Sequence, residues 1–260
     1  MFLFIRNLYL FRELLLGLSS SYLKARYRQT ILGFGWAVLP TIILVFTVVF
    51  IFPSISSSFN INGPYILFVF IGFWVWTFFS SALSFAIPNL VQNVNLLRKI
   101  YFPREILIVS AIVPVLVDYC VGLLIVICLV IYYGITINSS LIVLPALFII
   151  QIFLILGISF LGSIANVAFR DVSKLLPTML QVLFFISPIV YPLNSVSDRF
   201  RVFLIWNPIS GIIEGYRSIF IYGTFPNPTL FYCSFVSSVI IFIIGYYVFK
   251  KGEQFISDII

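Results

Sequence analysis

From Gln29 to Leu97 the chain carries no Asp, Glu, Lys or Arg. An apolar helix needs ~20 residues to cross ~30 Å of hydrocarbon, so the 69 residues between Arg28 and Arg98 predict two membrane spans and a turn. The first span runs from about Trp36 to Phe52 and ends at Pro53, ahead of the polar, turn-rich stretch Ser54–Gly63. The second covers about Tyr65 to Leu90. Charges return at Arg98, Lys99, Arg104 and Glu105, and the apolar blocks Ile106–Tyr133 and Leu141–Phe169 predict spans three and four. After Arg170, Asp171 and Lys174, span five runs from about Leu175 to Pro192, and span six from about Leu230 to Phe249. The longest polar connection, residues 194–228, lies between these last two.

Ahead of the first span the period changes. Phe4, Leu8, Phe11, Leu15, Leu18 and Tyr22 fall on one helical face, and Arg6, Glu13, Ser20, Lys24 and Arg28 fall opposite. The pattern predicts an amphipathic helix within residues 1–30, lying along the membrane surface or packed on another subunit. Arg6, Arg12 and Glu13 interrupt any run apolar enough for a signal peptide.

Composition agrees with a bilayer protein: 62% of residues are hydrophobic, 9% are charged and mean hydropathy is +1.18. A length of 260 residues suits one polytopic domain. With both termini cytoplasmic, the inside segments hold 12 of the 15 Lys and Arg, leaving Arg199, Arg201 and Arg217 outside. That asymmetry follows the positive-inside rule, so the basic excess is read as topology and not as nucleic-acid binding. Cys120, Cys128 and Cys233 are odd in number and sit in apolar stretches, which predicts buried, inert thiols. There is no His, and zinc sites and His-based catalysis lose their usual residue. No Gly-Lys dipeptide occurs, so the chain has no Walker A loop. The eight acids are scattered, and no close Asp/Glu pair is in place for hydrolysis or glycosyl transfer.

Three segments stand out chemically. The inside loop Asn95–Glu105 mixes cations with Ile100, Tyr101 and Phe102, which suits a docking element or, more plainly, an interfacial aromatic anchor. After span five, Pro188 and Pro192 break the helix twice, at a depth where freed backbone needs protein or water to receive it. Asn207-Pro208 then reads as a helix start. Ile209, Ile212, Ile213, Tyr216, Ile219 and Phe220 form its apolar stripe, with Glu214 and Arg217 on the other side, as in a re-entrant gate helix or an amphipathic surface helix. Asp118 lies twelve residues past Ile106, or ~18 Å along the helix. An unpaired carboxylate there costs about 2.5–3.5 kcal/mol, so it must face protein or water; Ser159 of span four is a candidate neighbour, and the residue is either structural or conduit-lining. Trp36, Tyr65, Trp74, Trp76, Tyr191 and Trp206 suit either an interfacial belt or stacking on sugar rings.

Five segments also carry a resemblance: Leu23–Phe50, Lys99–Ile106 (KIYFPREI), Asn166–Val172 (NVAFRDV), Gln181–Pro192 and Asn207–Arg217. In this order they resemble ABC-2 type polysaccharide exporters, the permease subunits of O-antigen, capsule and teichoic acid transporters. The resemblance implies an all-α polytopic membrane protein in a single domain of residues 1–260: six spans within 36–249, an N-terminal interfacial helix, and short re-entrant gate helices in an extracytoplasmic segment at 194–228. It implies a homodimer in the bacterial cytoplasmic membrane with two copies of a separate ATP-binding subunit, which would hold ATP and Mg. This chain itself would have no cofactor, metal or catalytic residue. Arg98, Lys99, Ile100, Tyr101, Phe102, Pro103, Arg104 and Glu105 would couple to the ATPase, and Asn166, Arg170 and Asp171 would position an intracellular connection. Pro188, Tyr191, Pro192, Trp206, Asn207, Pro208, Glu214 and Arg217 would form the outer gate. The implied cargo is a lipid-linked polysaccharide; membrane lipids are the remaining partner and nucleic acid is not one. An ion-coupled carrier or flippase is the rival reading, thinly supplied with one intramembrane Asp. A membrane-embedded transferase is a third, opposed by the missing acidic cluster.

Overall fold

The computed structural model describes residues 2–28, 33–51, 63–136 and 138–259. Apart from short 3-10 turns, every regular element among them is an α-helix: α1 (Phe2–Leu10), α2 (Arg12–Tyr27), α3 (Leu39–Ile51), α4 (Tyr65–Gln92), α5 (Val94–Lys99), α6 (Glu105–Tyr132), α7 (Leu144–Ala168), α8 (Val172–Ile186), α9 (Asp198–Trp206), α10 (Pro208–Phe220) and α11 (Pro228–Ile259). Within this set α4, α6, α7 and α11 are long and apolar enough to cross a membrane, while α3 and α8 are apolar but shorter. The turn expected after the first span lies almost wholly outside the described residues.

α4 is the central post, packed against α3, α6, α7, α8 and α10. It is apolar around nearly its whole circumference, as a helix enclosed by others must be. α7 lies along α11, where Gly157 meets Gly245: a Cβ on Gly245 would overlap the Gly157 carbonyl. Small residues let two backbones approach closely in a setting where lipid is as apolar as any side chain. At the hairpin between α4 and α6, the buried Asn89 donates to the Leu107 carbonyl at 2.5 Å and receives Asn93 Nδ2 at 2.7 Å.

Several expectations change here. The amphipathic stripe is the packed face of α1 and α2, but its partners are this chain's own helices, α6 for α2 and α7 with α11 for Phe4 of α1. Phe4 is buried against Phe160, Phe242 and Tyr246, with ring centroids 5.5–5.9 Å away. Where the first span was expected, a 3-10 turn (Gly33–Ala37) precedes the 13 residues of α3. α3 starts level with the middle of α4, where Thr41 Oγ1 lies 3.5 Å from Thr77 Oγ1. α8 stops at Ile186, six residues before the expected end at Pro192, because Pro188 cannot supply an amide to continue it. The cysteines are free but not buried: Cys120 and Cys128 point outward from α6 on a stripe with Leu124 and Ile131, and Cys233 is half-buried.

Candidate functional site

At the end of the helices where α5 gives way to α6, the loop expected to dock a partner divides into two halves. Arg98, Lys99 and Ile100 are exposed and Tyr101 is fully so, at 100%. Phe102, expected to share that exposure, is buried at 5%. The next residues face inward as well, with Pro103 half-buried. Arg104 bonds Glu253 of α11 through its amide (3.1 Å) and its guanidinium. Glu105 is completely buried, taking Lys250 Nζ at 2.6 Å and Asn7 Nδ2 at 2.9 Å, while Lys250 also reaches Glu253 at 2.8 Å. One polar knot thus ties α1 and the start of α6 to the last third of α11. Nearby, the buried Asn166 accepts the Ser173 amide at 3.0 Å and orients the first turn of α8. Arg170 is exposed, its carbonyl accepting from the Ser173 hydroxyl, and Asp171 pairs locally with Lys174 in a pair 79% exposed on both sides.

Asp118 is paired, and not with Ser159, whose hydroxyl has no partner among the described residues. Its carboxylate meets Arg26 Nη2 at 2.5 Å and accepts the Tyr27 hydroxyl. Since Asn7 bonds Glu105 and Arg26 bonds Asp118, α1 and α2 together climb beside α6 in the same direction. The thirteen-residue step from Glu105 to Asp118 is ~20 Å at helical rise. One residue on, the Tyr119 hydroxyl lies 2.7 Å from that of Tyr216 on α10, and Trp74 stacks on Tyr119 at 4.4 Å while donating to its carbonyl at 2.9 Å. Trp74 and Trp76 are both buried at mid-helix on the enclosed α4, away from the helix ends where a belt would sit.

The opposite end is built around the break after α8. The Tyr191 hydroxyl turns back to the Ile186 carbonyl at 3.0 Å, closing the C-terminus of α8. Asn207 caps α10: its Oδ1 accepts the Ile209 amide at 3.3 Å, its Nδ2 donates to the Ser187 hydroxyl at 3.1 Å, and Pro208 occupies the first turn. Trp206 is exposed at the end of α9. Pro188 is buried and Pro192 half-buried.

Arg217 departs most from expectation. Read as part of the polar face of α10, it is instead 0% exposed. Its guanidinium donates to the carbonyls of Pro188 (2.7 Å), Ile189 (2.6 Å) and Phe68 (3.3 Å) and to Glu214 Oε1 (2.8 Å). α10 thus packs on both sides, because the broken segment needs donors that no backbone amide supplies. Beside it a cavity of about 880 Å³ is walled by Asn194, Arg201, Glu214, Ser218, Tyr222 and Asn227. Partial burial holds the Tyr222 phenol above its ordinary pKa, the Glu214 carboxylate adds to the shift, and Arg217 opposes it. A second, mainly apolar groove of about 760 Å³ runs between α3, α4 and α8, with Thr41, Thr77, Ser80 and Gln181 in its wall.

A family model described as ABC-2 type transporter matches residues 13–221. The O-antigen export system permease protein RfbA of Myxococcus xanthus is 29% identical over 225 residues, 86% of each chain. Its Klebsiella pneumoniae namesake is 24% identical over 254 residues, 97% of this chain and 96% of its own. The polysialic acid transport protein KpsM of Escherichia coli is 26% identical over 196 residues, 74% of this chain and 75% of its own.

Proposed function

The chain belongs to the ABC-2 type transporter family, and we propose that it is the membrane subunit of an ATP-driven exporter that carries a lipid-linked polysaccharide across the bacterial cytoplasmic membrane. The observation that carries this reading is the similarity to O-antigen export permeases along almost the whole chain. The chain is a transport subunit and not an enzyme; a separate ATP-binding subunit, in two copies, holds ATP and Mg and drives a homodimer of this one.

The roles divide by position. Arg98, Lys99, Ile100 and Tyr101 present the exposed face for the ATPase, while Phe102, Arg104 and Glu105 anchor that face to α11. Asn166, with Arg170 and Asp171, sets the angle at which α8 leaves the inner side. The segment from Pro188 to Arg217 is the outer gate, and Tyr191 and Trp206 are its ring surfaces for sugars. Both termini are cytoplasmic, as the distribution of Lys and Arg supports.

Export assayed in proteoliposomes holding the chain with and without a partner ATPase tests the proposal. Polymer should move only when both subunits and ATP are present. ATP-independent movement driven by an imposed proton gradient would replace it with the ion-coupled carrier.

A further inference from the structure

We propose that Arg217 is the positioning residue of the outer gate: its guanidinium fastens the broken segment Ser187–Pro192 onto α4 and so holds the outer end closed. The inference rests on the outer-gate reading above and says what holds that gate shut.

The chemistry starts with the break. Pro188 ends α8 and leaves the carbonyls of Pro188 and Ile189 without helical partners in a buried setting. Orphan carbonyls away from water are costly unless something donates to them. An arginine carries five N–H groups in a planar fork, and here the donors divide among three pieces of chain: Nη1 to Pro188 and Glu214, Nη2 to Ile189 and Phe68, and Nε to Phe68. The guanidinium also lies over the Phe68 ring, 3.4 Å from its centroid, in a cation–π arrangement. Lysine has one compact ammonium and cannot span such a fork.

Two further observations separate a clamp from an ordinary ion pair. Glu214 takes one bond and its side chain keeps 19% exposure, whereas Arg217 keeps none; burying a guanidinium for that single pair would lose more in desolvation than it returns. Gly72 marks the fit from the other side. A Cβ there would overlap the Ile189 carbonyl oxygen and stand 2.9 Å from Arg217 Nη2. The clamp sits at the wall of the outer cavity, whose lining includes Phe68, Pro192, Glu214 and Ser218, so parting α10 from α4 must release it.

The test uses the chain in proteoliposomes with Cys120, Cys128 and Cys233 changed to Ser and one reporter cysteine, Ile189→Cys. Ile189 is buried, and labelling by a water-soluble maleimide should be slow. Arg217→Lys should speed it about tenfold, as expected for loss of one charge-assisted bond. Gly72→Ala should do the same with the arginine intact. A reporter at Leu107→Cys, buried at the inner end, should not respond, which separates local release from general loosening. Resting permeability to labelled sucrose should rise with the rate at residue 189. Unchanged labelling with Gly72→Ala overturns the clamp, and that variant decides even if Arg217→Lys does not fold. Faster labelling without leak leaves Arg217 holding the segment but overturns closure, and the outer-gate reading fails with it.

Discussion

Asp118 and Glu105 are carboxylates that the chain buries and then answers with a cation from a distant segment. Removing one partner of such a pair leaves an unmatched charge and costs about 3–5 kcal/mol. Arg26 keeps 27% side-chain exposure, so Asp118→Asn should fall at or below the lower end of that range, read as a drop in the unfolding midpoint. Adding Arg26→Gln should restore part of the loss, since the double variant has no orphan; no recovery would mean that the pair carries little. The loop between α5 and α6 permits a sharper contrast. Phe102→Ala should cost about 3–5 kcal/mol, as for a buried aromatic, whereas the fully exposed Tyr101 should leave stability unchanged on mutation to Ala and weaken co-purification with an ATPase. Equal effects of the two on stability would contradict the division of the loop.

At the scale of elements, the informative helices are those that depart from simple spans. α8 ends with a tyrosine hydroxyl on its last carbonyls, which lets the two functions of Tyr191 be parted. Tyr191→Phe removes only the cap, worth about 1 kcal/mol, and keeps the ring. If the ring meets sugar, export should survive Tyr191→Phe and fall with Tyr191→Leu; equal export by both would leave the residue a cap alone. α1 and α2 behave as a strut beside α6 rather than a float on the membrane. Leu18→Asp, on the packed face, should detach α2 from α6 and expose Asp118, visible as accelerated hydrogen exchange across α6. Protection unchanged from the parent would mean that the strut is not held by that face.

For the whole molecule, the charge asymmetry predicts which side each loop faces. Cysteines at Ser139 and Ser197 should label from outside, and at Ser173 and Ser257 only from inside. A single reversal would overturn the orientation. The fifth position suited to this test, Ser57, lies outside the described residues. The Gly157–Gly245 contact belongs to this scale too, because it sets how closely the α7–α11 pair stands; Gly245→Val should lower the yield of folded protein more than substitutions on the outward face of α6, such as Leu124→Val.

What could be read along the chain was whatever local order encodes. Charge-free runs marked the apolar helices, the four-and-three spacing from Phe4 to Tyr22 marked the packed face of α1 and α2, and Asn207-Pro208 marked the start of α10. These depend on a helix's own period and on backbone chemistry within a turn. The partners did not follow from such signals. Asp118 meets Tyr27 across 91 positions, Arg217 meets Phe68 across 149, and Lys250 meets Glu105 across 145. A helix apolar on every side has almost no moment, so nothing local says that Trp74 turns inward and Leu124 outward. Nor does a Glu-Arg pair three apart reveal that its arginine is needed by carbonyls which a proline elsewhere has set free. Those choices belong to packing: a buried charge or orphan carbonyl takes whatever donor the assembled helices bring within reach, and only the tertiary structure determines which one arrives.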